Sequence, residues 1–217
     1  LKEKGAKTFY VGGFVRDEIL GKENKDIDIE IHNITEKDFI EISRNQNIQL
    51  DYVGKSFGVF KANLEGEDFD FSFPRTEKQI GDKHTDFEIT VDPFIGTDKA
   101  AERRDFTINA LMKNTDTGEI LDYYGGLDDL KNKVIKHCSD KFSEDALRVF
   151  RAAQFSSRFN FKIAPETIEL SRNIDCSNLP KERIFEETNK AILKSNKPSI
   201  CFKNLNKLNV ANLYFPK

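Results

Sequence analysis

GGFVRDEILGKENKDIDIEI, residues 12–31, decides the reading of this chain. A Gly-Gly turn, an Arg16-Asp17 step and two acids one residue apart, Asp26 and Asp28, follow in order. If residues 25–31 form a strand, alternate side chains share a face, so Asp26 and Asp28 point the same way, about 6.6 Å apart along it. Ile27 and Ile29 then enter the core. Two carboxylates side by side repel each other unless a cation lies between them. Oxygen-only ligands suit a hard ion such as Mg²⁺, which keeps several waters and shares its site with a substrate phosphate. That is the chemistry of phosphoryl or nucleotidyl transfer. Gly12-Gly13 lets backbone N–H groups approach a phosphate with no Cβ in the way, beside a helix start that favours anions. A Gly-Gly turn alone means only a tight turn, and this one lacks the GxGxxG spacing of dinucleotide folds. Arg16, just inside the next helix, can reach a triphosphate or lie on the surface.

Outward from this stretch, residues 8–11 read as a strand and residues 15–20 as a short helix stopped by Gly21. Residues 37–45 read as a helix, and residues 56–63 and 68–73 as paired strands around Gly66. In the second of these, Phe69, Phe71 and Phe73 alternate with Asp68, Asp70 and Ser72. Asp70 is thereby on a polar face, as a third carboxylate of the site or a plain edge residue. Residues 75–101 are polar and read as a long loop. From Ser143 the character changes. SEDALRVFRAAQFSSRF (143–159) carries Ser143 as an N-cap, acids in the first turn and apolar Leu147, Phe150, Ala153 and Phe155. Residues 165–172, 181–194 and 198–209 also read as helices, so a mixed β and α unit precedes a helical one.

The chain has 217 residues, 33% charged and 38% hydrophobic, which fits a soluble globular protein. No apolar run approaches the ~20 residues that span a bilayer, and no signal peptide is visible. Cys138, Cys176 and Cys201 are odd in number and widely spaced, which points to a reducing cytoplasm. With no Trp and one Met, 19 Phe residues must supply much of the core. The net charge of −3 gives no global sign of nucleic-acid binding, but residues 190–217 hold six Lys and no Asp or Glu. Such a stretch can contact phosphates or form a solvated helical face.

Two further clusters carry chemistry. In ERRDFTINAL (102–111), Arg103 and Arg104 precede an apolar pattern read as a helix, and Asp105 is placed to cap it or hold an arginine. The arginines would add positive charge where a triphosphate sits, or form an exposed basic turn. In EDALRVFRAAQF (144–155), Asp145 and Arg148 are three apart, hence neighbours on a helix. They form an exposed ion pair or a base reader. Asp only accepts and Arg only donates. Cytosine and adenine each offer an amino donor beside a ring-nitrogen acceptor, so one Asp and one Arg satisfy either. Uracil and guanine present the reverse pattern and leave buried groups unpaired.

GGFVRD with DID, RRDFTINAL (103–111), DYYGGLDDL (122–130), EDALRVFR (144–151) and KERIFEE (181–187) resemble, in order and spacing, the class II tRNA nucleotidyltransferases. These are the CCA-adding enzymes and related bacterial poly(A) polymerases. The resemblance covers essentially the whole chain. It implies an α+β fold: a polymerase-β-like nucleotidyltransferase head with a five-stranded mixed β-sheet (1–137), then an all-helical neck (138–217). It implies addition of C and A to the tRNA 3′ end from CTP and ATP. Asp26 and Asp28 would be catalytic and hold Mg²⁺. Gly13, Arg16 and Arg104 would contact the nucleotide, and Asp145 and Arg148 would read the base with Arg151 close by. Some relatives carry a further Arg where Gln154 stands. The family's usual body and tail are expected to be absent, as in a fragment or a shortened relative.

The expected reaction is attack of the primer 3′-hydroxyl on the α-phosphate with loss of pyrophosphate. It needs no protein nucleophile, so His32, His84, His137 and the cysteines receive no catalytic role. Within the family the alternatives are a poly(A) polymerase or an enzyme adding only CC or only A. A small-molecule nucleotidyltransferase would lack the 143–158 neck segment, and an inert RNA-binding remnant would not need the acid pair.

Overall fold

The computed structural model describes residues 1–52, 58–79 and 87–215. In chain order the elements are β1 (Lys7–Val11), α1 (Gly13–Ile19), β2 (Ile27–His32), α2 (Glu36–Asn45), β3 (Asp51–Tyr52), β4 (Val59–Leu64), β5 (Glu67–Ser72), β6 (Arg75–Gln79), β7 (Phe87–Val91), α3 (Thr97–Glu102), β8 (Met112–Asn114), β9 (Ile120–Leu121), α4 (Gly126–Asn132), β10 (Val134–Ile135), α5 (Leu147–Phe159), β11 (Lys162–Ile163), α6 (Pro165–Arg172), α7 (Lys181–Leu193), α8 (Ser199–Lys207) and α9 (Ala211–Tyr214). A mixed sheet is followed by a helical region, as the sequence implies.

Among the described residues seven strands form one sheet in the order β3-β4-β5-β2-β1-β8-β9. β2 and β5 run parallel, and the other neighbours are antiparallel. The sheet thus has two strands more than the five expected; β8 lies where no strand is expected, and β3 and β9, two residues each, lie at the edges. Alternation along β2 sends Ile27, Ile29 and Ile31 into a cluster with Phe39, Phe60, Phe71 and Phe73 beneath α2. The opposite face of β2 carries Asp28, Glu30 and His32. Helix α2 is started by a capping box between Thr35 and Asp38.

Several local expectations change. β2 begins at Ile27 rather than residue 25, because the Asp26 N–H donates to Asn24 Oδ1 in a turn. The strand expected over 56–63 is described from Val59 onward, and residues 56 and 57 lie outside the described residues. The segment read as a loop, 75–101, holds the β6–β7 hairpin, with Arg75 opposite Val91, and helix α3; residues 80–86 lie outside the described residues. In ERRDFTINAL Glu102 closes α3, and after Arg103 and Arg104 the expected helix is replaced by a single 3₁₀ turn at Thr107–Asn109. Phe106 is extended and bridges His137, its N–H taken by Asp105 Oδ1 and the Thr107 N–H by the Lys136 carbonyl. Helix α5 starts at Leu147, with Ser143 in a preceding 3₁₀ turn, so Ser143 is not its N-cap.

One apolar cluster joins Phe106, Ile108, Leu111, Leu130 and Ile135 to Val149, Phe150, Phe155, Ile184 and Leu205. The packing therefore continues across residue 137. A Cβ on Gly126 would overlap the Thr107 carbonyl oxygen, so this glycine lets α4 abut the 3₁₀ turn. Phenylalanines supply much of the core as expected, with Phe60, Phe73, Phe106, Phe142 and Phe150 fully buried, whereas Phe94 and Phe185 are exposed. No helix among the described residues is long and apolar enough to cross a membrane.

Candidate nucleotide site

β1 runs directly into Gly12, whose φ of 66° and ψ of −129° belong to glycine alone. A Cβ there would project to 3.5 Å from Arg104 Nη1 and 3.8 Å from Asp28 Oδ2. Bare backbone at this corner thus opens an acidic and a basic side chain to a common space. That space is an open cavity of about 300 Å³. Gly12, Gly13, Arg16, Asp26, Asp28, Arg104 and Arg151 line it, together with Asp17, Asn24, Asp105, Asn109, Phe155, Arg158 and Lys194.

Both acids line the cavity, Asp28 from the strand face as the alternation implies and Asp26 from the turn that precedes β2. Asp28 stands opposite Asp70 in the parallel β2–β5 register. Burial pushes the Asp28 carboxyl above its ordinary value; Asp70 and Asp26 add to the rise, and Arg104 pulls it back. Asp70 is no edge residue, since β5 lies between β4 and β2, and Lys61 Nζ is 3.1 Å from its Oδ1. Among the described residues no group of three or more His, Cys, Asp or Glu side chains is gathered to hold a metal. The donor set is two carboxylates beside open space. It fits a hard divalent cation whose remaining positions go to water and phosphate oxygens.

Arg16 is 3% exposed, not a surface residue. Its Nε and Nη2 donate to Asp17 at 2.8 Å each, Nη1 donates to Asn109 Oδ1, and the guanidinium lies over Phe155 and Phe159. Arg103 and Arg104 do not form an exposed basic turn. Both donate through Nη2 to Glu30 Oε2, at 3.2 and 3.1 Å. Glu30 is completely buried, with His32 Nε2 3.1 Å from its other oxygen. Burial opposes its charge, but the His32 hydrogen bond, Arg104 and Arg103 prevail and hold the carboxyl at about 2.

Asp105 holds an arginine from the helical region. Arg151 Nε and Nη2 reach its Oδ2 at 2.8 and 2.7 Å, and Asn109 Nδ2 reaches Oδ1 at 2.9 Å. Arg151 Nη1 is also 3.7 Å from Glu187 Oε1 on α7.

Asp145 and Arg148 are not helical neighbours. Asp145 precedes α5 in an extended conformation, accepts from the Leu147 N–H, and takes Arg183 Nη2 at 2.8 Å and Nη1 at 3.3 Å. Arg148 donates to the carbonyls of Lys141 and Arg103, at 2.6 and 2.8 Å. Neither lines the cavity, unlike the other six expected site residues. Gln154 is buried, 2% exposed.

Sequence reasoning missed Glu30, Asp17, Asn109, Phe155 and Arg158. Signals existed for three of them. Glu30 follows Asp28 on the same strand face, and Phe155 and Arg158 recur at i+4 and i+7 from Arg151 on one helix face. Of the six C-terminal lysines, Lys194 reaches the cavity.

The family model for the poly A polymerase head domain matches residues 8–136, and that for a probable RNA and SrmB-binding site of polymerase A matches residues 160–217. The multifunctional CCA protein of Pasteurella multocida is 38% identical over 97% of this chain, and that of Haemophilus ducreyi 37% identical over 97%. The chain spans about half the length of these relatives, 50% and 51%. Among solved structures, the Bacillus stearothermophilus CCA-adding enzyme in complex with CTP superposes with a TM-score of 0.82 at 26% identity, over 97% of this chain and 50% of that one. The Thermotoga maritima CCA-adding enzyme complexed with tRNA gives 0.78 at 28%, over 100% and 50%.

Proposed function

The chain belongs to the class II tRNA nucleotidyltransferase family, with its poly A polymerase head domain, and from that membership we propose that it adds C and A to the 3′ end of tRNA from CTP and ATP without a template. The observation that carries this reading is the convergence of Asp26, Asp28, Gly12, Gly13 and Arg104 on one cavity that Arg151, Phe155 and Arg158 of α5 also line. We assign residues 1–137 as the catalytic head and 138–217 as the base-reading neck, in a cytoplasmic protein.

Asp26 and Asp28 would hold Mg²⁺. When bound, the ion acidifies the primer hydroxyl and offsets charge on the triphosphate. The primer 3′-hydroxyl gives up its proton to solvent, and its oxygen bonds to the α-phosphorus as the bond to the leaving pyrophosphate breaks. Gly13 lets the backbone approach the phosphates, and Arg16, Arg104 and Arg151 surround them with positive charge held in place before substrate arrives. Asp145 and Arg148 would read the base. Their acceptor-only and donor-only chemistry supports this, as does their position just before Arg151.

The test is incubation of the longest native form with tRNA lacking its 3′ end and each labelled nucleoside triphosphate in turn. C followed by A is expected. A long A tail would assign a poly(A) polymerase instead, and C alone or A alone a partial adder. No label from any triphosphate overturns the proposal.

A further inference from the structure

We propose that Glu30 is a positioning residue for the nucleotide site, holding Arg104 from behind so that its guanidinium faces the phosphates rather than the acid pair. The inference rests on the reading that Arg104 contacts the nucleotide. Glu30 lies two residues beyond Asp28 on the same face of β2 and has no exposed surface. A buried carboxylate is costly unless fully paired. Here one oxygen meets His32 Nε2 and the other takes Arg103 and Arg104 together.

The two ends of the Arg104 guanidinium do different things. Nη2 is fixed on Glu30 at 3.1 Å, while Nη1 stands at the Gly12 corner, which Asp28 Oδ2 also faces. Without Glu30, Arg104 can turn toward Asp28, whose charged form it already favours. An arginine collapsed onto that acid would occupy the place of a cation and withdraw its own charge from an incoming triphosphate. The arrangement anchors Arg104 by one end of its guanidinium, and a fixed donor loses less freedom on binding than a mobile one.

The experiment measures equilibrium binding of CTP and CMP to the full-length protein, with magnesium in every arm, for wild type, Glu30→Gln, Arg104→Met and the double variant. Glu30→Gln is expected to weaken CTP about tenfold, the scale of one charged hydrogen bond, with CMP unchanged. The double variant is expected to bind CTP as Arg104→Met does, since Glu30 then has nothing to aim. Glu30→Asp keeps the charge but shortens the reach, and is expected to fall between wild type and Glu30→Gln. It serves as the readout if Glu30→Gln does not fold. Equal losses for CTP and CMP, wild-type CTP binding in Glu30→Gln, or additive effects with Arg104→Met would overturn the proposal. A wild-type protein that binds neither nucleotide and adds none to tRNA would instead sink the nucleotidyl-transfer reading, and this inference with it.

Discussion

Arg151, on the first turns of α5, closes on Asp105 at 2.7–2.8 Å and so ties the helical region to the segment that carries Arg103 and Arg104. Burial pushes the Asp105 carboxyl up, but Arg151, Asn109 and Arg148 outweigh it and hold it below its ordinary 3.8. Ionised Asp105 therefore stabilises the fold fully above the unfolded carboxylate range, and that contribution is lost as pH falls through the lower folded value. Asp105→Asn is expected to lower stability at pH 7 by about 1–3 kcal/mol and to flatten the acid limb of the stability profile. Urea unfolding from pH 7 downward checks both, and an unchanged acid limb would exclude Asp105 as its source.

Gly12→Ala is expected to cost about 1–3 kcal/mol in backbone strain, because alanine cannot adopt a φ of 66° with a ψ of −129° without it. The added methyl also points at Arg104 and Asp28. Incorporation should fall even where a thermal melt shows the variant folded.

Asp28→Asn removes a charge that burial, Asp70 and Asp26 all disfavour. Incorporation of both nucleotides is expected to stop while Tm stays level or rises. Activity near wild type would take Asp28 out of the metal-holding pair, and a large fall in Tm would contradict the electrostatic account.

Asp145 spends its carboxylate on Arg183 in this structure. Asp145→Ala is expected to relax the choice of CTP and ATP over UTP rather than end turnover. Competition assays with all four triphosphates measure it, and unchanged discrimination would remove Asp145 from base reading.

The fold and the core of the site were legible where chemistry is local. Strand alternation placed Asp28 against Ile27 and Ile29, and the Gly-Gly corner marked the turn into α1. The β6–β7 hairpin was missed although Phe87, Ile89 and Val91 alternate with Glu88 and Thr90, since polar flanks masked a short period-two run. Asp145 and Arg148 were read as neighbours because their spacing fits a helix. Their actual partners, Arg183 and the carbonyls of Lys141 and Arg103, are distant in sequence or lie on the main chain. Glu30 was overlooked for a similar reason: a buried carboxylate becomes tolerable only through Arg103 and Arg104, more than seventy residues away in sequence, at separations of 73 and 74.

The apolar cluster that runs past residue 137 carries a practical consequence. Scissors applied there would leave Phe106, Ile108, Leu111 and Ile135 facing water on the excised piece, all of them without exposed surface in the intact chain. Such a piece should clump on expression, visible as a void-volume peak in gel filtration, and a monodisperse fragment would show that the two halves are separable modules after all.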